Sequence, residues 1–134
     1  MGKRGIQTFS RHLKYRNQTV ALPDGKATTI LVGQEKGIDI RIALDVVRMA
    51  LRKDYDVALI FSQDQDLSEV AKEIREIANL QKRWIKVASA FPLSPTSRNL
   101  RGIDKTDWIT LDRATYDACL DPNDYRQKKV PEAK

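Results

Sequence analysis

The sequence has very few of the side chains that many metal centres and active sites require. Its 134 residues include one cysteine, Cys119, and one histidine, His12. A single cysteine excludes a disulfide framework within the chain, and together with a single histidine it excludes a Cys/His zinc cluster. The same counts exclude mechanisms that need two histidines.

Long apolar segments are also missing. No apolar run approaches the roughly 20 residues that a membrane-spanning helix needs. The basic start of the chain, residues 1–4, is not followed by the apolar stretch of about 7–15 residues that marks a signal peptide. These absences predict a cytoplasmic protein with no membrane partner.

Acidic charge is in deficit, because 24 lysines and arginines stand against 18 acids and give a net charge of +6. Single-stranded nucleic acid is bound by cationic and aromatic side chains together, through phosphate contacts and base stacking. A solvated strand edge protected by charge explains such a pattern equally well, and composition leaves both interpretations open. The residues concerned lie near the N-terminus: Lys3, Arg4, Arg11, His12, Lys14 and Arg16, interleaved with Phe9 and Tyr15.

The periodicity of apolar residues predicts strands that alternate with helices, which is typical of an α/β sheet covered by helices. The Pro23-Asp24-Gly25 turn predicts a hairpin, and the continuous apolar run 56–61 predicts a strand buried on both faces. The predicted strands are 11–15, 19–22, 28–32, 56–61, 84–88 and 108–111. The predicted helices are 38–53, one that begins at Asp66 or Ser68 and continues to 78, a turn at 97–101, and 113–120.

Acidic residues cluster where such a sheet places its functional groups, beyond the carboxyl ends of the strands. Asp64 and Asp66 follow the strand 56–61 on a short loop with Ser62, and Asp39 lies at the start of the preceding helix, on its apolar side. Carboxylates this close repel each other unless a cation lies between them. A hard-oxygen site of this kind suits Mg²⁺ or Mn²⁺ and activates water at a phosphoryl group.

Each of these residues also has a purely structural interpretation. Asp64 or Asp66 fits a helix cap, and Asp39 fits the favourable end of a helix dipole. Asp45 has arginines at positions 41 and 48, so an exposed ion pair is its leading interpretation. Cys119 is expected to be a small buried residue.

Two segments of the chain resemble the signature motifs of NYN domains, a branch of the PIN-like ribonuclease fold. Residues 34–45, QEKGIDIRIALD, resemble the family pattern KGxDxxxAxD, and residues 55–67, YDVALIFSQDQDL, resemble YDxxxxxSGDxDF. Residues 101–109 and 113–119 further resemble the end of one bacterial subgroup.

The resemblance implies a PIN-like, Rossmann-like three-layer α/β/α sandwich with a mainly parallel sheet over residues 1–126, followed by a flexible basic tail at 127–134. It implies a ribonuclease that uses Mg²⁺ or Mn²⁺. By match to the motifs, Asp39, Asp64 and Asp66 are the catalytic metal-site acids, Asp45 is a weaker candidate, and Ser62 is a supporting loop residue. RNA is the expected partner, with Arg11, His12, Lys14 and Arg16 as its contacts.

The chain departs from the family pattern in two places. Gln63 stands where the motif has glycine. The second departure is the family's first strand, which carries an Asp-x-x-Asn motif in the middle of the sheet and has no counterpart before Gly5. The chain therefore resembles the C-terminal two-thirds of a domain. Three explanations stay open: an internally assigned start codon, a second copy or another chain that completes the sheet, or a decayed copy of the domain. The alternative functions are a catalytically impaired RNA-binding or protein-interaction module, or a fragment that needs its missing N-terminal strand.

Overall fold

The computed structural model describes residues 5–124 and begins with a β-hairpin. Strand β1 (Lys14–Ala21) pairs antiparallel with β2 (Ala27–Gln34), with Tyr15 opposite Gly33 and Val20 opposite Thr28. The turn closes with a hydrogen bond of 2.7 Å from the Leu22 amide to the Lys26 carbonyl, and Gly25 takes a φ of 80° that favours glycine. The predicted hairpin is confirmed, although its first strand is one continuous element rather than two short ones.

Two amphipathic helices form the helical layer. Helix α1 (Ile38–Leu51) begins after Gly37, which has a φ of 84°. Helix α2 (Ser68–Gln81) follows a 3₁₀ turn, Gln65–Leu67. Both helices are where the apolar periodicity predicts them, since that pattern gives each helix one face to bury.

The remaining strands form a parallel sheet in the order β3-β4-β5. Strand β3 (Val57–Phe61) lies at one edge, β4 (Lys86–Pro92) in the middle and β5 (Asp107–Leu111) at the other edge. A short helix, α3 (Arg113–Ala118), follows β5. This mixed α/β architecture with a parallel sheet confirms the predicted fold class.

The core lies between the helices and one face of the sheet. Ile60 projects from β3 into this core, and Ile103 packs there from the loop before β5. Removing such side chains from water stabilises the fold at about 25 cal/mol for each Å² of apolar surface. The other buried members are Ala50, Leu67, Val70, Ile74 and Ile77.

The opposite face of β3 is exposed, so the expectation that this strand is buried on both faces is wrong. Val57, Leu59 and Phe61 alternate with the buried residues Ala58 and Ile60, and Phe61 is 70% exposed. Five consecutive apolar residues do not indicate which face of a strand is covered. Among residues 5–124, no strand pairs with the outer edge of β3.

Several other local expectations differ from the structure. Residues 97–101 form no helix, and the strand expected at 84–88 runs from Lys86 to Pro92. Cys119 is exposed rather than buried. Within the described part of the chain, no helix has the length and apolarity needed to cross a membrane. The predicted tail, 127–134, lies outside the described residues.

Candidate metal centre and nucleic-acid interface

The loop that leaves β3 holds two of the predicted acids in fixed positions. Asp64 Oδ1 accepts a hydrogen bond of 3.0 Å from the Asp66 amide and thereby caps the 3₁₀ turn. The Ser62 hydroxyl oxygen accepts a bond of 3.1 Å from the Asp64 amide. The capping role of Asp64 is confirmed, and it orients the carboxylate at the carboxyl end of the sheet. This bond to Ser62 holds the loop at the position of Asp64.

Two glutamines that alternate with these acids fasten the loop to residues 99–104. Gln63 Nε2 donates to the carbonyl oxygens of Asn99 and Arg101, at 3.1 and 2.9 Å. Gln65 Nε2 donates to the Gly102 carbonyl at 2.8 Å, and its Oε1 accepts from the Asp104 amide at 3.1 Å. The glutamines thus bind the neighbouring loop, whereas Ser62 and Asp64 make their hydrogen bonds within the acidic loop itself.

The third predicted acid, Asp39, lies in the first turn of α1 and is exposed. The helix begins with Gly37 in a left-handed conformation, and the Glu35 carboxylate accepts a bond of 2.8 Å from the Ile38 amide. A side chain on Gly37 would place its Cβ 2.8 Å from Nη1 of Arg11. The start of α1 therefore brings two carboxylates and one guanidinium group close together.

Electrostatics connect Asp39 with the acidic loop. Partial burial raises the pKa of Asp39 above its usual value, and the negative charges of Asp64, Glu35 and Asp66 raise it further, in that order. Like charges act in this way when they lie close together. Asp39 is thus exposed at the helix start rather than turned inward, and it lies near enough to Asp64, Glu35 and Asp66 for their charges to act on it. We call these four residues the acidic cluster; they are related by charge, and within residues 5–124 no three acids converge on one metal position.

The donor chemistry of this cluster suits Mg²⁺ or Mn²⁺, because every candidate ligand is a carboxylate oxygen. Within residues 5–124, no three acids converge closely enough to form a complete protein cage. Mg²⁺ does not require one, since it is held by one or two carboxylates together with waters and substrate phosphates. The residues present fit an ion that is bound in this open manner.

Asp45, the weaker candidate, has different neighbours. Its carboxylate accepts two hydrogen bonds from Arg41, at 2.7 and 3.0 Å, and one from Arg48 at 3.1 Å. The ion pair that the spacing predicts is therefore present. Asp45 is not among the charges that raise the pKa of Asp39.

The predicted RNA-contacting residues lie on the exposed N-terminal part of the described chain. Lys14 and Arg16 share one face of β1, and Arg11 and His12 precede that strand. None of the four forms an ion pair within residues 5–124. Phe9 joins this segment to α1, because the guanidinium carbons of Arg11 and Arg41 each lie 5.3 Å from the centre of its ring.

Sequence reasoning missed Glu35, Gln63 and Gln65. Glu35 lies three residues before the amide that it caps, a spacing that gives a detectable local signal. The glutamines bind residues 36 to 39 positions away along the chain, so no local pattern indicates their partners.

Comparison with known proteins identifies the family of the chain. A family model of the NYN domain matches residues 2–101, a segment that includes α1 and the acidic loop. Comparisons with curated proteins and with solved structures gave no significant match. Because the family model covers most of the chain, the protein belongs to the NYN domain family, whose members have a PIN-like α/β fold.

Proposed function

We propose that the protein is a divalent-metal-dependent ribonuclease that hydrolyses RNA phosphodiester bonds at the acidic cluster. NYN domains are generally ribonuclease-like and typically depend on divalent metals. The observation that carries the proposal is the position of Asp64 and Asp66 on the loop that leaves β3, at the carboxyl end of the parallel sheet, with Asp39 in the first turn of α1. The charges of Asp64, Glu35 and Asp66 act on Asp39 and add to its raised pKa. Carboxylates that repel each other in this way gain stability when a cation joins them.

In this proposal Asp39, Asp64 and Asp66 hold the ion, which is Mg²⁺ or Mn²⁺. When bound, the ion supplies activation of water and stabilisation of the charge that develops on the phosphoryl group. Ser62 and the capping bond of Asp64 fix the loop, so little reorganisation is needed before reaction. Asp45 is the weaker candidate because two arginines already neutralise it.

RNA binding is assigned to Arg11, His12, Lys14 and Arg16. The Arg11 guanidinium packs against Gly37, two residues before Asp39. A phosphate strand that approaches four carboxylates needs such cations beside it. Exposed Tyr15 and Phe9 provide rings on which unpaired bases can stack.

The test is cleavage of a labelled single-stranded RNA in the presence of Mn²⁺, Mg²⁺ or EDTA, with Asp64→Asn as the variant. We expect cleavage only with metal. The variant should lose at least about 100-fold, which is about 3 kcal/mol of transition-state stabilisation. Its thermal unfolding should stay close to that of the parent protein. A fully active Asp64→Asn protein would reject the assignment.

A second candidate function is RNA binding without catalysis. It is favoured by the exposed basic N-terminal segment and by the lack of a three-carboxylate cage among residues 5–124. It predicts salt-sensitive RNA binding with no turnover in Mn²⁺ or Mg²⁺. Binding that is equal at low and high salt would count against it.

The predicted second copy or other chain that completes the sheet stays a prediction. The apolar edge strand β3 supports it, because unpaired strand edges without charge readily pair with another chain. An apolar groove of about 630 Å³, which Phe61, Leu93, Leu111 and Tyr116 help to line, lies at the carboxyl end of the sheet. Light scattering of the purified protein measures the mass directly, and a monomer at all concentrations would contradict the prediction.

A further inference from the structure

The loop that follows β4 carries two arginines, Arg98 and Arg101, to the side of the acidic cluster. Gln63, which lies between Ser62 and Asp64, donates hydrogen bonds to the carbonyls of Asn99 and Arg101. The backbone of residues 99–101 is therefore within one side-chain length of the acidic loop. Arg98 immediately precedes this tethered segment.

The backbone of this loop is held firmly. The Ile103 amide donates to the buried Ser89 hydroxyl at 3.0 Å, and the Asn99 side chain accepts from the Arg101 amide at 3.1 Å. Gly102 has no space for a side chain, because an added Cβ would lie 2.5 Å from both Ser89 Oγ and Trp108 Cδ1. The arginines thus extend from a fixed base.

Both guanidinium groups remain accessible. The Arg101 side chain is 63% exposed and pairs with Asp104 at 2.7 Å. An exposed pair of this kind contributes little free energy, so a phosphate can take the place of Asp104 at low cost. Arg98 is exposed and forms no ion pair within the described part of the chain.

The negative charge of the acidic cluster makes cations necessary on both of its sides if RNA is to bind across it. Glu35, Asp39, Asp64 and Asp66 repel a polyanion, and on the α1 side the Arg11 guanidinium packs against Gly37 at the start of the helix. On the β3 side, the tethered segment carries Arg101, and Arg98 immediately precedes it. Cations on both sides of a repulsive centre allow a phosphate strand to cross it.

We propose that Arg98 and Arg101 bind backbone phosphates of the RNA strand that crosses the acidic cluster, and that Gln63 is the residue that positions them. This inference rests on the proposed ribonuclease function and adds a second group of phosphate contacts to its substrate site. Arg11 and the hairpin contact the strand on one side of the cluster, and the loop 98–101 contacts it on the other. Arginine suits this role because its planar group binds phosphate through two parallel hydrogen bonds.

The first test measures RNA binding by fluorescence anisotropy in EDTA, where no metal contributes, over a series of KCl concentrations. The probe is a fluorescein-labelled unstructured RNA. Each of Arg98→Gln and Arg101→Gln should weaken binding about two- to fivefold, as expected for an exposed charge contact. Each should also reduce the slope of log K against log salt by about 0.7, the value for one phosphate contact on a single strand.

Arg52→Gln provides the matched control. It removes the same charge at the far end of α1, about 20 Å along the helix from Asp39. Its salt slope should equal that of the parent protein. Equal slopes for all three variants would overturn the inference and leave the ribonuclease proposal standing. A parent protein that does not bind the RNA in EDTA would also overturn the inference, and the metal-dependent cleavage assay would then decide the ribonuclease proposal separately.

The second test concerns Gln63. In Gln63→Ala both arginines keep their charge but lose the tether, so trypsin should cleave after Arg98 and Arg101 several-fold faster and RNA binding should weaken. Gln81→Ala removes a similar bond, from Gln81 Nε2 to the Leu51 carbonyl at 3.1 Å, and should change neither result. Unchanged trypsin cleavage and RNA binding in Gln63→Ala would contradict the positioning role.

Discussion

Helix α1 carries two aspartates in opposite electrostatic surroundings. The pKa of Asp39, in the first turn, is raised by partial loss of solvent and then by the charges of Asp64, Glu35 and Asp66. Asp45, less than two turns later, is held by Arg41 and Arg48. The same residue type is left uncompensated at one place and neutralised at the other. The difference identifies the first turn of α1, and not the second, as the place where a cation has most to contribute.

The largest expected effect separates the two aspartates by activity. Asp39→Asn should reduce metal-dependent RNA cleavage about 100-fold, or about 3 kcal/mol, because it removes a carboxylate from the proposed ion site. Asp45→Asn should keep the rate within about threefold, because its charge is already compensated by the arginines. Initial rates in Mn²⁺ measure both variants. Equal losses would erase the distinction between the two positions.

Substitutions of two glycines test whether Arg11, which packs beside Gly37, contributes to RNA binding at the start of α1. Gly37 has a φ of 84° and Gly25 has a φ of 80°, in the left-handed region. Alanine at either position should lower the free energy of unfolding by about 1–2 kcal/mol, because its Cβ is strained there. Only Gly37→Ala also displaces Arg11, because Gly25 has nothing within 4 Å. Urea unfolding should therefore show similar losses for the two variants, and RNA binding should fall only for Gly37→Ala. Equal RNA affinities would argue against a role for Arg11 at this site.

The contact of Tyr55 with helix α1 should make the free energy of unfolding depend on pH in the alkaline range. Burial raises the pKa of Tyr55 to about 12, an effect that the Arg83 charge partly opposes. The Tyr55 hydroxyl donates to the Val46 carbonyl at 2.8 Å. A raised tyrosine pKa means that the neutral form stabilises the fold. This contribution is complete below pH 10 and is lost as pH rises from about 10 to 12.

Tyr55→Phe tests this linkage. At pH 8 it should destabilise the protein by about 1 kcal/mol through the lost hydrogen bond, and the stability of the variant should fall less steeply above pH 10. Tyr116→Phe, at an exposed position, is the control and should retain the parent's alkaline slope. A Tyr55→Phe protein with the parent's slope would show that other groups control the alkaline transition.

The smallest expected effects are changes in the free energy of unfolding, which should have opposite signs for Asp39→Asn and Asp45→Asn. Without metal at pH 7, Asp39→Asn should raise the free energy of unfolding by a few tenths of a kcal/mol, because a charge in a repulsive cluster is removed and solvent screens much of the gain. Asp45→Asn should lower it by about 0.5 kcal/mol, because half-exposed ion pairs are lost. Paired urea titrations resolve the two signs. A loss of stability in both variants would contradict the repulsion at Asp39.

Much of the fold could be predicted because its signals are local. The Pro23-Asp24-Gly25 turn and the apolar spacing of α1 each specify one element without reference to the rest of the chain. The covering of β3 could not be predicted, because Val57–Phe61 is apolar throughout and the pattern is the same whether one face or both are buried.

The candidate site also contains residues that local patterns predict and contacts that they do not. The positions where strand and helix meet predict Asp39, Asp64 and Asp66 as site residues, and their role in binding an ion stays a prediction. The Asp45 ion pair follows from helical spacing. The bonds from Gln63 and Gln65 to residues 99–104 depend on how two loops meet at the sheet edge. A contact between two loops that are distant along the chain leaves no periodic pattern in the sequence.

The central claim is that the cluster at the start of α1 binds a divalent ion and that Asp45 does not contribute to it. Calorimetric titration of Mn²⁺ into the parent protein, Asp64→Asn and Asp45→Asn tests this directly. We predict one site in the parent, loss of that site in Asp64→Asn and unchanged affinity in Asp45→Asn. Equal Mn²⁺ affinity in all three proteins would contradict the claim.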